Sequence, residues 1–236
     1  MSYQNPWRPS GTDRRRRQQS YPVARGLFAG NKSVKYGMVA VLACMLVAGY
    51  INRGDKVLTG PIDDVFRRDP SSLLIVYGTE GDNPEGIREY AHKVGRLLGV
   101  SMDRDILVYP DREVDSGLIR DSSLLLYGTV EGNRISRKLS EHFPFQFGGD
   151  TLGVDGQTVA THGWQLVFAV PNPHNDQRYL LLYTGPSDSA VIGMNMIEHP
   201  NFVRHDTTDF VLAVNGRIER SGFFLKDIPG RWKLPR

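Results

Sequence analysis

Cysteine is nearly missing from this sequence. Cys44 stands alone among 236 residues, which excludes an internal disulfide framework and any multi-cysteine metal site. The six histidines, at positions 92, 142, 162, 174, 199 and 205, never fall at H-x-x-x-H or H-E-x-x-H spacing, so no metal centre is expected. No G-x-S-x-G elbow marks a nucleophile. Glycine-rich stretches occur as GTEGDN (78–83) and GTVEGN (128–133), yet neither fits G-x-G-x-x-G or the lysine-bearing phosphate loop. A triad of Ser187, His174 and Asp176 can be drawn on neighbouring loops, as in nearly any α/β domain. These absences point away from an enzyme, and no cofactor is expected.

What is present is unevenly placed. The formal net charge is +3 and the pI about 9.0. Residues 1–35 hold eight Arg or Lys and one acid, Asp13, which makes +7; the remainder therefore carries 3 − 7 = −4. A mildly acidic body behind a basic arm is not a nucleic-acid-binding domain by composition. The arm is rich in Pro, Gly and Ser and poor in large apolar residues, so it is expected to be disordered when alone. Arg14, Arg15, Arg16 and Arg17 are its candidates for contact with anionic lipid or a protein partner.

Residues 36–52, YGMVAVLACMLVAGYIN, contain no charge. As a helix they reach about 25 Å, at the short end for a membrane span. Tyr36 and Tyr50 sit near the two ends, and the basic arm precedes the segment. The positive-inside rule then leaves the arm in the cytoplasm and the C-terminal body outside. No clean A-x-A cleavage site follows, the sequence after Cys44 stays apolar where a lipoprotein turns polar, and polar Gln18 and Gln19 follow the arginine run. We read the segment as an uncleaved single-span anchor in a bacterial inner membrane. Gly37, Ala40, Cys44 and Ala48 form a small-residue stripe that suits close packing against another helix, although short anchors are rich in small residues in any case.

Beyond a linker at 53–70 with a short helix, the body at 71–225 has a readable period, and 226–236 is a tail. Ile62, Val65 and Phe66 share one face of the linker helix, which could lie on the membrane or cap the domain. Leu73–Tyr77, Asp105–Tyr109, Leu124–Tyr127, Trp164–Val170 and Tyr179–Tyr183 read as strands; most are continuous apolar runs of the kind buried on both faces. Helices are expected from Asn83 to about Leu98, over Glu131–His142 and from Ser187 to about Ile197. Asp155-Gly156 and Asn215-Gly216 mark hairpins. The expected fold is α/β: a three-layer, mainly parallel sheet, flavodoxin-like or Rossmann-like, with an inserted β-hairpin at 151–161 and one preceding transmembrane helix.

In such sheets ligands sit outside the carboxyl ends of the strands. The loops expected there bring Thr79, Asn83, Thr129, Asn133, Asn172, Asn175, Ser187 and Ser189 to one edge as candidate binding residues. Turn-and-cap chemistry alone would also place Gly, Asn and Ser at these positions.

The stretch NPHNDQRYLLLYTG (172–185) resembles part of an accessory α/β domain found in some large bacterial secreted serine peptidases of the prolyl oligopeptidase class. Val76-Tyr77-Gly78-Thr79, Asp111-Arg112-Glu113-Val114, the strand-Gly unit before Asn133, the hairpin region 145–156 and Gly222-Phe223-Phe224 are similar too, so the resemblance covers about 72–224. It implies an extracytoplasmic domain that accompanies another activity, and it carries over no catalytic residue. The expected function is a non-catalytic, membrane-anchored accessory subunit with its body in the periplasm and protein partners in a larger membrane complex, respiratory or photosynthetic for example. The alternative is a hydrolase-associated or small-ligand-binding periplasmic module using the edge loops.

Overall fold

In the computed structural model three similar runs of the sequence, LLIVYG (73–78), LLLYG (124–128) and LLLYTG (180–185), lie on neighbouring parallel strands. The described residues are 62–154, 156–194, 208–228 and 231–233, all in the unit Arg53–Arg236. The arm with Arg14–Arg17, the apolar stretch with Gly37, Ala40, Cys44 and Ala48, and the expected end of the last helix beyond Met194 lie outside them. Among the described residues no helix is long and apolar enough to cross a membrane.

Leu73–Tyr77 (β1), Leu107–Pro110 (β2) and Ser123–Tyr127 (β3) pair in parallel, and β3 pairs in parallel with the end of Asn175–Thr184. Register brings Tyr77 opposite Tyr127 and Tyr127 opposite Tyr183. The likeness of LLIVYG, LLLYG and LLLYTG is therefore one joint built three times: a strand buried on both faces, with a tyrosine at its end or one residue before it, ahead of a glycine turn.

Between these strands lie four short or long helices and a second sheet. Asp64–Arg67 (α1) precedes β1, Pro84–Met102 (α2) follows it, Ser116–Asp121 (α3) leads into β3, and Arg134–Leu139 (α4) leaves it. Gln146–Gly148 (β4), Thr151–Val154 (β5) and Gln157–Ala160 (β6) form an antiparallel sheet of their own. Trp164–Asn172 (β7) and Asn175–Thr184 (β8) follow, then Asp188–Gly193 (α5), Phe210–Val214 (β9) and Arg217–Gly222 (β10). Leu225–Ile228 (β11) and Arg231–Lys233 (β12) pair antiparallel, all but Leu225 within 226–236, the stretch read as a tail.

The main sheet runs β10-β9-β7-β8-β3-β1-β2. It is mixed, and this corrects the expectation of a mainly parallel sheet. β8, β3, β1 and β2 are parallel, whereas β7 returns antiparallel beside β8, β9 beside β7, and β10 beside β9. The physical reason is the two-residue connection Pro173-His174: a chain that turns in so few residues can only come back antiparallel, since a parallel neighbour needs a crossover of a dozen or more.

Both faces of the sheet are covered. On one, α1, α2 and α5 bury Ile62, Val65, Ile87, Tyr90, Ala91, Val94 and Val191 against Ile75, Leu125, Leu181 and Val211. The linker helix thus caps the domain. On the other, α3, α4 and the small sheet bring Ile119, Ile135, Leu139, Leu152 and Val154 onto Leu74, Leu126, Leu182 and Phe168. The stretch expected as an inserted hairpin is a three-stranded cover on this face, tied down by Trp164, whose Nε1 donates to the Asp150 carbonyl at 2.9 Å.

Candidate functional site

The carboxyl ends of β8, β3, β1 and β2 are where a ligand crevice belongs, because β1 continues to β2 on one side while the chain re-enters β3 on the other. Three of the loops there are Gly78–Asn83, Gly128–Asn133 and Gly185–Ser187, and the chain after β2 adds Asp111.

Asn133 is fully buried and organises the β3 end. Its Oδ1 accepts from the backbone N–H of Ile135 (3.0 Å) and Ser136 (3.2 Å), capping α4, while its Nδ2 donates to the carbonyl of Tyr127 (3.1 Å) and lies 3.5 Å from that of Val76. Asn83 caps α2 by accepting from Gly86 N at 3.0 Å, and Ser187 caps α5 by accepting from Ala190 N at 3.1 Å. Thr129 Oγ1 accepts from Gly132 N at 2.8 Å, closing its own loop. These are side-chain substitutes for the missing helical partners of first-turn amides.

Two carboxylates bind the loops to one another. Asp188, 2 % exposed, accepts from Asn83 N (2.8 Å) through Oδ2 and from Thr129 N (3.4 Å) through Oδ1. Its own backbone N–H donates to Asp82 Oδ1 at 2.7 Å. Burial raises the Asp188 pKa; the two amides pull it back down, and neighbouring Asp82 adds to the rise. Asp111 accepts from Thr79 Oγ1 (2.7 Å) and from Arg134 N (2.6 Å) at the start of α4. Amides that could hold an anion at a helix start are thus held by the protein's own acids.

The glycines complete the closure. A Cβ on Gly78 would stand 2.6 Å from the Gly132 carbonyl oxygen, one on Gly132 2.7 Å from Gly81 Cα, and one on Gly81 2.1 Å from the Asp188 carboxylate. The loops meet backbone to backbone, and Glu80 N donates to Gly132 O at 3.0 Å across the joint. Outside it, Arg137 bridges Glu80 at 2.8 Å and the Glu131 carbonyl at 2.7 Å.

Six of the eight candidate residues lie at this edge: Thr79, Asn83, Thr129, Asn133 and Ser187, and Ser189 in the exposed first turn of α5. Asn172 and Asn175 do not. β7 ends where β8 begins, so both sit at the opposite edge, about 30 Å away along the ten residues of β8. There Asn172 Nδ2 donates to the carbonyls of Ile119 (2.5 Å) and Ser122 (3.2 Å), and Asn175 Nδ2 to Arg120 O (2.9 Å). They lash the β7–β8 turn to the end of α3. The same separation keeps His174 and Asp176 from Ser187, so that triad is not assembled. Asp188 and Asp111 went unread among the candidates, although an acid beside each of several amide-rich turns was the available signal.

Next to the closed edge lies a row of tyrosines. Tyr127 and Tyr183 stack at 4.5 Å between ring centroids, 6° from parallel, and Tyr90 meets Tyr127 edge-on at 5.8 Å. Burial pushes the phenols of Tyr127 and Tyr183 well above their ordinary range, so both stay neutral. Among the described residues no group of three or more His, Cys, Asp or Glu is placed to hold a metal ion. No protein-family model and no curated protein sequence matches the chain.

Proposed function

We propose that the chain is a non-catalytic, single-span membrane-anchored accessory subunit. In this reading its folded body lies in the periplasm of a bacterial cell, its anchor packs in the inner membrane and its basic arm contacts lipid or protein on the cytoplasmic side. The observation that carries the reading is the closed carboxyl edge: Asp188 and Asp111 occupy the amides of the loops, and Gly78, Gly81 and Gly132 bring backbone onto backbone. A domain that seals the crevice of an α/β sheet with its own side chains is suited to offering surfaces rather than to holding a small ligand. The same closure counts against the ligand-binding alternative.

The parallel half, β8-β3-β1-β2 with α2 and α3, is the part we liken to a flavodoxin-like or Rossmann-like unit. The resemblance to accessory domains of secreted serine peptidases agrees with a companion role, and the charge-free run at 36–52 after the +7 arm supplies the case for the anchor and its orientation. Extraction of native membranes in mild detergent tests the proposal. The chain should migrate on native gels with polypeptides other than itself, identified by mass spectrometry. A species containing this chain alone overturns it.

A further inference from the structure

The two edges of the main sheet end differently. β10 presents exposed Arg217, Glu219 and Arg220 and carries a register shift between Ile218 and Arg220. Charge and bulges of this kind keep an edge from pairing. β2 reads Leu107-Val108-Tyr109-Pro110, with no charge and no register shift along β1. Leu107 is 56 % exposed and lies on the face of its register partner Leu74, which faces α3 and α4. On the other face, where Val108 packs beneath α2, the helix leaves Val100 84 % and Leu97 42 % exposed, three residues apart on one helix side. Among the described residues these are three of the five exposed large apolar side chains. A strand laid beside β2 would have apolar neighbours above and below it, as the interior strands of this sheet do.

A groove of about 610 Å³ runs between α2 and this edge, and its charges balance: Arg96 and Arg104 against Asp103 and Asp105. That balance selects the occupant. A twofold axis sets a surface against its own copy, where a patch of one sign repels itself and a patch of both signs pairs Arg with Asp. A strongly acidic or strongly basic partner would leave one pair of charges unmatched.

We propose that the β2 edge joins the β2 edge of a second copy of this chain. Twofold symmetry makes the two strands antiparallel, so that two seven-stranded sheets become one. Pro110 and the four-residue length keep the ladder short, so Leu97, Val100 and Leu107 bury most of the contact. The proposal is independent of the membrane reading.

The polypeptide mass of the unaltered full chain, purified in mild detergent, is read by light scattering, and a short bismaleimide is then added to the same chain carrying Cys44→Ser and Leu107→Cys. The expected result is a mass of two chains for the unaltered chain and a covalent dimer through residue 107 for the variant. Val100→Glu in the same background should lower the cross-linked yield at least about tenfold. The side chain of Val100 is so exposed that the change leaves the fold intact, which circular dichroism verifies. A mass of one chain overturns the proposal whatever the cross-linker yields. A dimer that fails to cross-link at 107, or that Val100→Glu leaves unchanged, is seated elsewhere and overturns it equally.

Discussion

Asn133 has four polar neighbours and no exposure, so a change there is felt twice. Asn133→Ala removes a helix cap, about 1 kcal/mol, and one of the two donors to the Tyr127 carbonyl, which keeps Gly78 N at 2.9 Å, about 0.5–1.5 kcal/mol more. The urea midpoint should fall, with an unchanged slope, by an amount that corresponds to about 1.5–2.5 kcal/mol of stability. Two carboxylates should respond to pH in opposite directions. The Ser71 hydroxyl, and then the Arg178 guanidinium 2.5 Å from Oδ2, hold Asp69 below the usual carboxylate range against a cost of burial. The stability Asp69 contributes is full above its unfolded value of 3.8 and is lost as the pH falls through its lower folded value. Asp188 is raised, so its contribution is greatest at low pH and declines as the pH climbs from 3.8 through its folded value. Denaturation of Asp69→Asn beside the native chain should therefore show a difference that is constant above about pH 5 and shrinks below it.

At the scale of elements, the glycine joints are the places where a methyl group is least welcome. Gly78→Ala forces a Cβ to within 2.6 Å of the Gly132 carbonyl, which is backbone and cannot swing aside. We expect a loss of about 1–3 kcal/mol, read as a lower melting temperature. Gly156→Ala is a useful contrast for strain alone: its φ is +76° and a Cβ there meets nothing within 4 Å. Much of this scale was legible beforehand. The runs Leu73–Tyr77 and Leu124–Tyr127 announce buried strands, and Asn83-Pro84 announces the start of α2. Asn215-Gly216, with φ of 49° and 75°, makes the tight hairpin its dipeptide implies. Direction was not legible, because a strand buried on both faces looks the same parallel or antiparallel; only the shortness of Pro173-His174 decides it. β10 was implied only as the far side of the Asn215-Gly216 hairpin, because RIERSG has a single large apolar residue, and α3 escaped notice because six residues with only Ile119 buried give no period. At the site, the caps Asn83, Asn133 and Ser187 were readable as residue types. The partners Asp188 and Asp111 were not, since their roles depend on loops brought together from 105 positions apart for Asn83 and Asp188 and from 23 for Asp111 and Arg134.

For the molecule as a whole, the sequence divides its labour by charge and greasiness: a +7 arm, an uncharged run and a −4 remainder. If 36–52 is the anchor, the full chain should stay with membranes through an alkaline carbonate wash, and a chain lacking 36–52 should leave them. Retention of the shortened chain would shift the attachment to the arm or the body. The filled crevice has another consequence. Asp188 alone holds the amides of Asn83 and Thr129, so shortening it to glycine would uncover both in a space shaped by a carboxylate. Formate or acetate could take that space, and recovery of lost stability on adding either salt would turn this scaffold into a starting point for a designed anion receptor.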